Sequence, residues 1–313
     1  MAEGPTGPAT MNNSYQRKLL SPKDLANAIG ASESSVKRWT DQGRLEITRT
    51  SGGHRRIAVT EAIRFIRENQ LPLLQPEVLG LQIDVDSAAS AVEVGSKDPN
   101  ADFHQLLLSG HDVGARNHLV SRFLKGESVA ALTDGPIRSS MEQIGWTWKE
   151  RSEGIFIEHR ATEILAGLLQ DLRQLVAPTN PIGRAIGGAV AGDPYRLPSL
   201  AVAATLSECG LHAVNLGANT PISVLRQASV DDPTDQPPCL VWISVSEVTS
   251  PGETSLDVSE LIRECMAASI AVAIGGREAH RLEFPSGDQV FRGESLTELA
   301  EFVQRRVVRT NRD

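Results

Sequence analysis

The sequence predicts a multidomain chain: a small helical module with a β-hairpin, then a four-helix bundle, then an α/β doubly wound domain. Three observations predict this organisation. The 313 residues are about twice the length of a typical domain. Apolar residues recur at helical spacing from residue 102 to residue 176. From residue 184 onward, short apolar runs alternate with helical patterns, which is typical of a parallel sheet covered by helices.

The composition excludes several classes of protein. Hydrophobic residues make up 40% and charged residues 22%, which is ordinary for a globular protein. No apolar run approaches the roughly 18 to 20 residues that a membrane span requires, and the polar tail 1–17 lacks the apolar segment of a secretory signal. Cys209, Cys239 and Cys265 are far apart and odd in number, so they predict neither a disulfide framework nor a metal cluster. We therefore expect a cytoplasmic protein with no membrane partner.

The net charge of −8 is unevenly distributed along the chain. Residues 18–70 hold ten Lys or Arg against six Asp or Glu, a balance of +4, so the acidic excess lies in the remainder. A basic module on an acidic body indicates that one part of the chain faces a polyanion.

The basic segment begins with two short helices. Ser21 is a suitable cap for the first helix, and Gly30 is a natural stop. Ser32 caps the second helix, in which Val36 and Trp39 face inward. Helix, short glycine-containing turn and helix is the spacing of a helix-turn-helix. The exposed side of the second helix then carries four side chains able to reach DNA phosphates and base edges: Ser34, Ser35, Lys37 and Arg38.

A β-hairpin and a third helix follow. Residues 47–50 and 55–59 are predicted to be short strands, and the glycines in Ser51-Gly52-Gly53-His54 supply the positive φ angles of a tight turn. Thr60 is the predicted cap of the third helix. Such a hairpin forms a wing that follows the phosphate backbone with its basic side chains: Arg49, His54, Arg55 and Arg56.

This order of elements, with its Gly-Gly-His-Arg-Arg hairpin, resembles the α-helical winged helix-turn-helix DNA-binding domain of the MerR family. The resemblance covers residues 18–72. It implies a double-stranded DNA operator as the partner. It also implies a homo-oligomer, a dimer or a tetramer, because one such module contacts few base pairs.

The middle of the chain carries a second motif. Residues 73–100 are predicted to be a linker and residues 101–178 a four-helix bundle, in which Trp148 is followed by nine residues and then Glu158 and His159. Next to a MerR-like domain, this bundle and spacing resemble the light-sensing, cobalamin-dependent repressors of the CarH/CarA type. The resemblance implies that the bundle covers adenosylcobalamin, with Trp148 against the adenosyl group and Glu158 holding it. It makes His159 the upper cobalt ligand once light has cleaved the cobalt–carbon bond.

Residues 181–309 predict a Rossmann-like, flavodoxin-type domain, whose ligands bind at the carboxyl ends of the strands. The resemblance to a cobalamin-binding domain continues here at three strand ends. Residues 216–221 follow the second strand, and Ser244 and Ser246 end the third. Gly275 and Gly276 end the fourth strand, where a backbone without side chains permits close approach. These positions are therefore expected to bind the cofactor.

The loop after the first strand departs from the family pattern. Relatives that displace the benzimidazole tail carry Asp/Glu-x-His-x-x-Gly there, and the His is the lower cobalt ligand. Here Asp193 is kept, Tyr195 replaces the His and Pro198 replaces the Gly, and a neutral phenol is a poor cobalt ligand. Three interpretations stay open: a corrinoid with its own benzimidazole retained, another planar ligand such as a tetrapyrrole, or no cofactor at all.

The sequence shows no Ser/His/Asp, phosphate-loop or zinc-ligand spacing. It therefore predicts a transcription regulator rather than an enzyme, and by resemblance a repressor, whose C-terminal domain senses a corrinoid and light. The alternative is a cofactor-independent MerR-type regulator, in which the C-terminal domain serves oligomerisation or partner binding.

Overall fold

The computed structural model describes residues 18–81, 99–148, 154–232 and 237–308. The fold is mixed: helices accompany a three-stranded antiparallel sheet and a five-stranded parallel sheet. The prediction of a largely helical first half and a parallel sheet in the second half is confirmed at this level.

The N-terminal module, residues 18–81, contains three α-helices, a 3-10 helix at Pro76–Leu79 and a small sheet in the order β1-β3-β2. Ser21 and Asp24 form a reciprocal capping box at the start of the first helix, and Gly30 ends it with a φ of 67°. Trp39 packs on Phe65 with ring centroids 5.0 Å apart. The elements are β1 (Leu19–Leu20), α1 (Pro22–Ile29), α2 (Glu33–Asp41), β2 (Thr48–Arg49), β3 (Arg55–Ala58) and α3 (Val59–Glu68).

Two details of this module differ from the prediction. Helix α3 begins at Val59 after Ala58 and has no side-chain cap, because Thr60 already lies inside the helix and is buried. The predicted linker does not begin at residue 73, since residues 73–81 pack on the module. Leu74 donates its amide to Ala28 O, and Leu79 is fully buried. Residues 82–98 of that linker lie outside the described residues.

The described residues of the segment predicted to be a four-helix bundle are mostly helical, and one of the helical stretches is interrupted. Its break is a π-helical turn at Thr133–Ile137, where Pro136 lacks an amide hydrogen and prevents a regular α-helix. The segments are α4 (Pro99–Ser109), α5 (Asp112–Leu124), α6 (Val129–Leu132), α7 (Arg138–Trp148) and α8 (Gly154–Val176).

The C-terminal domain is doubly wound. Its parallel strands lie in the order β5-β4-β6-β7-β8, so the chain leaves β4 toward one edge and then returns to build toward the other. In such sheets ligands bind at the carboxyl ends beside this reversal, between β4 and β6. The elements are β4 (Gly183–Ala189), α9 (Leu197–Glu208), β5 (Leu211–Asn215), α10 (Ile222–Gln227), β6 (Leu240–Ser244), α11 (Pro251–Ala267), β7 (Ala271–Gly275), β8 (Val290–Arg292) and α12 (Leu296–Val303).

The three parts share contacts in the described residues. One apolar core runs from the N-terminal module through the bundle to Ala201 and Ala204 of α9. Asp134 of the bundle caps α12, since its carboxylate accepts the amides of Leu296 and Thr297 at 3.0 and 2.9 Å. None of the helices in the described ranges is long and apolar enough to cross a membrane.

Candidate functional site

Helix α2 presents the predicted DNA-contacting side chains. Ser34, Lys37 and Arg38 are exposed, while Ser35 is half-buried. The hydroxyl of Ser32 accepts the Ser35 amide at 3.1 Å, and it lies 2.9 Å from the hydroxyls of both Ser34 and Ser35. The serines therefore fix the start of the helix. Lys37 and Arg38 are its exposed cations, and the Lys37 ammonium group pairs with Glu33 at 2.8 Å.

The hairpin between β2 and β3 has the predicted tight turn. Gly53 has a φ of 77°, and its amide donates to Thr50 O at 2.8 Å, which closes the turn. Arg49 and His54 are exposed on the hairpin, and Arg49 donates to Gly53 O at 3.1 Å. Both side chains are thus placed outward beside α2.

Arg55 differs from its predicted role as a phosphate contact. Its guanidinium donates to Lys37 O at 3.0 Å and to the Thr40 hydroxyl at 2.6 Å, and it pairs with Asp41 at 2.7 Å. All three partners belong to α2, so Arg55 joins the hairpin to this helix. Adjacent strand residues face opposite sides. Arg56 therefore lies on the other face, where its charge contributes to lowering the pKa of Asp24, after the Ser21 hydrogen bonds.

Glu158 and His159, two of the residues predicted to contact adenosylcobalamin, lie in the first turns of α8. The side chain of His159 is 77% exposed, and its Nε2 lies 3.9 Å from a carboxylate oxygen of half-buried Glu158. One turn later, Glu163 pairs with Arg196 of the loop after β4 at 3.1 Å. The start of α8 therefore lies beside the carboxyl ends of the strands. The side chain of Trp148 lies outside the described residues.

Asp193 is fully buried in the loop after β4, and both of its carboxylate oxygens are occupied. One oxygen accepts the amide of Tyr195 at 2.9 Å, and the other accepts the amide of Ser246 at 2.6 Å. Its main-chain oxygen accepts the Asn219 amide at 2.9 Å. Asp193 thus ties together the loops that follow β4, β5 and β6. This differs from the cofactor contact predicted for it, because no oxygen faces an open site.

Tyr195, which stands at the lower-ligand position, points toward the surface. It is 41% exposed, and the guanidinium of Arg277 lies over its ring, 5.5 Å from the centroid. Arg277 also donates to Ser246 O at 3.1 Å. One face of the Tyr195 ring therefore lies against an arginine, while the side chain stays partly exposed.

The strand-end glycines approach the protein's own backbone. A Cβ on Gly275 would collide with Gly293 O, and one on Gly276 would lie 2.6 Å from Val245 O. Ser244 and Ser246 are both buried. These four predicted cofactor-binding positions thus serve the close packing of the loops.

Trp242 fills the space beside the reversal of the sheet. It is fully buried on β6, opposite Gly187, where a side chain would collide with it. Its indole Nε1 donates to the Ser199 hydroxyl at 3.0 Å, and that hydroxyl donates to Asn215 Oδ1 at 2.8 Å. This polar chain closes the gap between the sheet and the start of α9. Sequence reasoning missed Trp242, although a tryptophan in an otherwise aliphatic strand is a visible signal.

The described residues contain a cavity of about 220 Å³, which lies between the end of β4, α10 and α11 and is lined by only one of the predicted cofactor-binding positions, Pro221. A drug-sized ligand usually occupies about 300 to 1,000 Å³, so this cavity is too small for a corrinoid. The described part of the chain contains no group of three or more His, Cys, Asp or Glu side chains that could hold a metal ion. The 220 Å³ cavity is lined by Val190, Ala191, Pro221, Ile222, Ser223, Arg226, Thr254, Asp257 and Glu260.

Comparison with known proteins finds distant structural neighbours only. No family model matches the sequence, and no curated protein matches it. The monomethylamine corrinoid protein of Methanosarcina barkeri aligns with a TM-score of 0.48 and 15% identity, over 65% of this chain and 95% of that chain. A cobalamin-binding protein from Desulfitobacterium hafniense DCB-2 aligns with a TM-score of 0.32 and 18% identity, over 68% of this chain and 100% of that one.

A third neighbour is the methanol:cobalamin methyltransferase complex MtaBC from Methanosarcina barkeri. It aligns with a TM-score of 0.32 and 14% identity, over 76% of this chain and 90% of that chain. All three names contain corrinoid or cobalamin, the ligand class to which the sequence resemblance points. Because each TM-score is below 0.5, we draw nothing about this chain's activity from these neighbours.

Proposed function

We propose that the chain is a DNA-binding transcription regulator rather than an enzyme, and that its N-terminal module contacts the duplex. The observation that carries the proposal is the joint placement of α2 and the hairpin. Lys37, Arg38, Arg49 and His54 are exposed on two neighbouring elements. Arg55 holds these elements together through three contacts. A fixed helix beside a basic hairpin is suited to a major groove and its flanking phosphates.

The test is binding of the full chain to duplex DNA, measured by fluorescence anisotropy at several salt concentrations. We expect the logarithm of the affinity to fall linearly with the logarithm of the salt concentration, because phosphate contacts release counterions. Arg38→Ala with Arg49→Ala should weaken binding and reduce the slope by about 2, one unit for each contact. The matched control is Lys125→Ala with Arg263→Ala, two exposed cations of the body. Salt-independent binding, or equal losses in both double variants, would contradict the proposal.

For the C-terminal domain, we propose the cofactor-independent role, in docking and oligomerisation. Three observations support it: Asp193 has both oxygens occupied, Trp242 fills the gap beside α9, and the strand-end glycines pack on backbone. The buried side chains of Trp242 and Ser199 fill the space between the sheet and the start of α9, so they leave no room for a cofactor there. We also propose the predicted domain limits with one change: the end of the N-terminal module moves from residue 72 to residue 81, and the C-terminal domain begins at residue 181 as predicted.

A corrinoid held at the edge of the domain is the second candidate. The observation that favours it is the approach of α8 to the loop after β4 through Glu163 and Arg196, which brings exposed His159 close to the predicted ligand end. When bound there, a corrinoid would supply light-sensitive cobalt–carbon chemistry. His159 is the residue that the resemblance assigns to its cobalt.

Gel filtration after incubation with adenosylcobalamin in the dark, or with hydroxocobalamin, separates the two candidates. We expect the protein to emerge without visible absorption. Co-elution of the corrinoid with the parent protein, together with its loss in His159→Ala but not in His212→Ala, would overturn the cofactor-independent role. His212 is the control because it is an exposed histidine on β5.

A further inference from the structure

The side chain of Arg67, near the end of α3, extends beyond the N-terminal module and contacts other parts of the protein. Its Nε donates to Phe123 O at 2.8 Å, and its Nη2 donates to Glu127 O at 2.9 Å. The guanidinium lies over the Phe123 ring, 3.7 Å from the centroid. Nη2 also pairs with Glu208 at 2.9 Å. One side chain thus has partners in the bundle and in the C-terminal domain.

Glu208 completes this junction from the other side. It is the last residue of α9, and its second carboxylate oxygen accepts the amide of Val129, at the start of α6, at 2.7 Å. The side chains of Arg67 and Glu208 are 15% and 19% exposed, so the pair is largely shielded from water. Removing either member would leave the other partly buried without its opposite charge. The junction therefore joins α3, α6 and α9 at one point.

Arg64 provides an internal comparison, because it lies one turn earlier on the same helix. It pairs with Glu61 at 2.6 Å and with Glu68, and it donates to Arg44 O at 3.3 Å. All of these partners belong to the N-terminal module. Both side chains form ion pairs, but only that of Arg67 reaches outside the module.

We propose that Arg67 is a positioning residue. Through Glu208, it fixes the orientation of the N-terminal module relative to the body, by which we mean the described residues from 99 onward. The proposal rests on the DNA-binding function, because the module carries the DNA-contacting side chains. Lys37, Arg38, Arg49 and His54 remain exposed while the module is docked. Docking therefore sets the direction in which α2 faces without covering it.

The test is a distance between the module and the C-terminal domain, measured by pulsed electron paramagnetic resonance on the full chain. Spin labels attach to Gln42→Cys and Asp288→Cys, two exposed positions. Burial raises the pKa of Cys209, Cys239 and Cys265 to about 12, 11 and 12. The native thiols therefore contain little reactive thiolate, and the labels are directed to the introduced cysteines.

We expect one narrow distance distribution in the labelled parent and in the Arg64→Ala control. Arg67→Ala should broaden it at least twofold. Glu208→Gln should broaden it in the same direction, and this variant lies outside the module, so it cannot act by unfolding it. An equally narrow distribution in both variants, or a parent as broad as Arg67→Ala, would overturn the proposal. Equal broadening in Arg64→Ala would also overturn it, because the effect would then come from α3 stability.

Binding to non-specific duplex DNA separates this inference from the proposed function. We expect Arg67→Ala to keep the salt dependence of the parent, since Arg67 is enclosed by body residues and is not on the exposed face. A parent chain that binds no DNA would refute the proposed function but leave the distance result intact. A reduced salt slope in Arg67→Ala would make Arg67 a DNA contact and overturn the positioning role.

Discussion

Arg55 and Arg56 are neighbours in sequence, yet their side chains have different surroundings. Arg55 is held by Lys37 O, Thr40 and Asp41, whereas Arg56 is half-buried on the other face of the strand. The residue types alone predict two equivalent phosphate contacts. The two arginines differ because only one face of β3 packs against α2. The pair Arg55-Arg56 in the sequence does not indicate which face that is.

Single substitutions should therefore have separate effects. Arg55→Ala should lower the free energy of unfolding by about 1 to 2 kcal/mol, because it removes charge-assisted hydrogen bonds to α2. The exposed Asp41 partner adds little to this value. Urea denaturation measures the change, with Arg49→Ala as an exposed control on the same hairpin. A stability loss no greater than that of the control would show that Arg55 does not join the two elements.

Because Trp242 is buried, a histidine at position 195 should not by itself allow corrinoid binding. Tyr195→His introduces the imidazole that the resemblance to cobalamin-binding domains predicts at this position, but the indole of Trp242 still fills the gap beside Ser199. We expect hydroxocobalamin retention after gel filtration to be unchanged in Tyr195→His. Trp242→Ala alone should lower stability by about 3 to 5 kcal/mol, as large core truncations do. Strong retention by Tyr195→His alone would show that a corrinoid does not require this gap.

At the scale of elements, local signals predicted most of the C-terminal domain. The five strands begin and end within two residues of the positions that the sequence predicts, which are 185–191, 212–216, 240–245, 270–274 and 289–291. Short apolar runs bounded by glycine or polar residues are distinctive. The sequence predicts that helix α11 starts at Val258, but it starts at Pro251, because its first turns are too polar and exposed to show an apolar pattern. Strand β1 has two residues and pairs with β3, far along the chain, so no local periodicity could indicate it.

Asp134 joins the π-helical turn at Thr133–Ile137 to the start of α12, and its charge should make this contact dependent on pH. Burial raises the pKa of its carboxyl group, but hydrogen bonds from Leu296, Thr297 and Ser295 outweigh burial and hold the pKa below its ordinary value. The carboxylate therefore stabilises the folded state above about pH 4, and this stabilisation is lost as the pH falls through the lowered value. Sequence reasoning gave Asp134 no role, because its partners are about 160 residues away.

Asp134→Asn tests that connection. We expect it to lower the free energy of unfolding by about 1 to 3 kcal/mol at pH 7, because the amides at the start of α12 lose a charged acceptor. The difference from the parent should shrink as the pH falls below about 4, because the carboxyl of the unfolded parent takes up its proton at a higher pH than the carboxyl of the folded parent. Urea denaturation at pH 7 and near pH 3 measures both values. A difference independent of pH would rule out the charge of Asp134 as the cause.

For the whole molecule, we predict self-association, because one α2 helix and one hairpin contact only a few base pairs. Multi-angle light scattering of the full chain should give a mass of two or four times 33.7 kDa. Two modules acting together should also bind a repeated site more tightly than a single half-site of the same duplex length. A monomer at the concentrations used for DNA binding would contradict this prediction.

Helix α9 connects the loop after β4 to the junction between the C-terminal domain and the N-terminal module. Its 12 residues span about 18 Å, from the loop that contains Tyr195 to Glu208, the partner of Arg67. A molecule that binds the loop and shifts this helix would change DNA affinity. By thermodynamic linkage, DNA would then change that molecule's affinity by the same factor. A tenfold change in affinity corresponds to about 1.4 kcal/mol, comparable to one charge-assisted hydrogen bond. Adding operator DNA should therefore change the protein's affinity for such a molecule, and this change can be used to detect it.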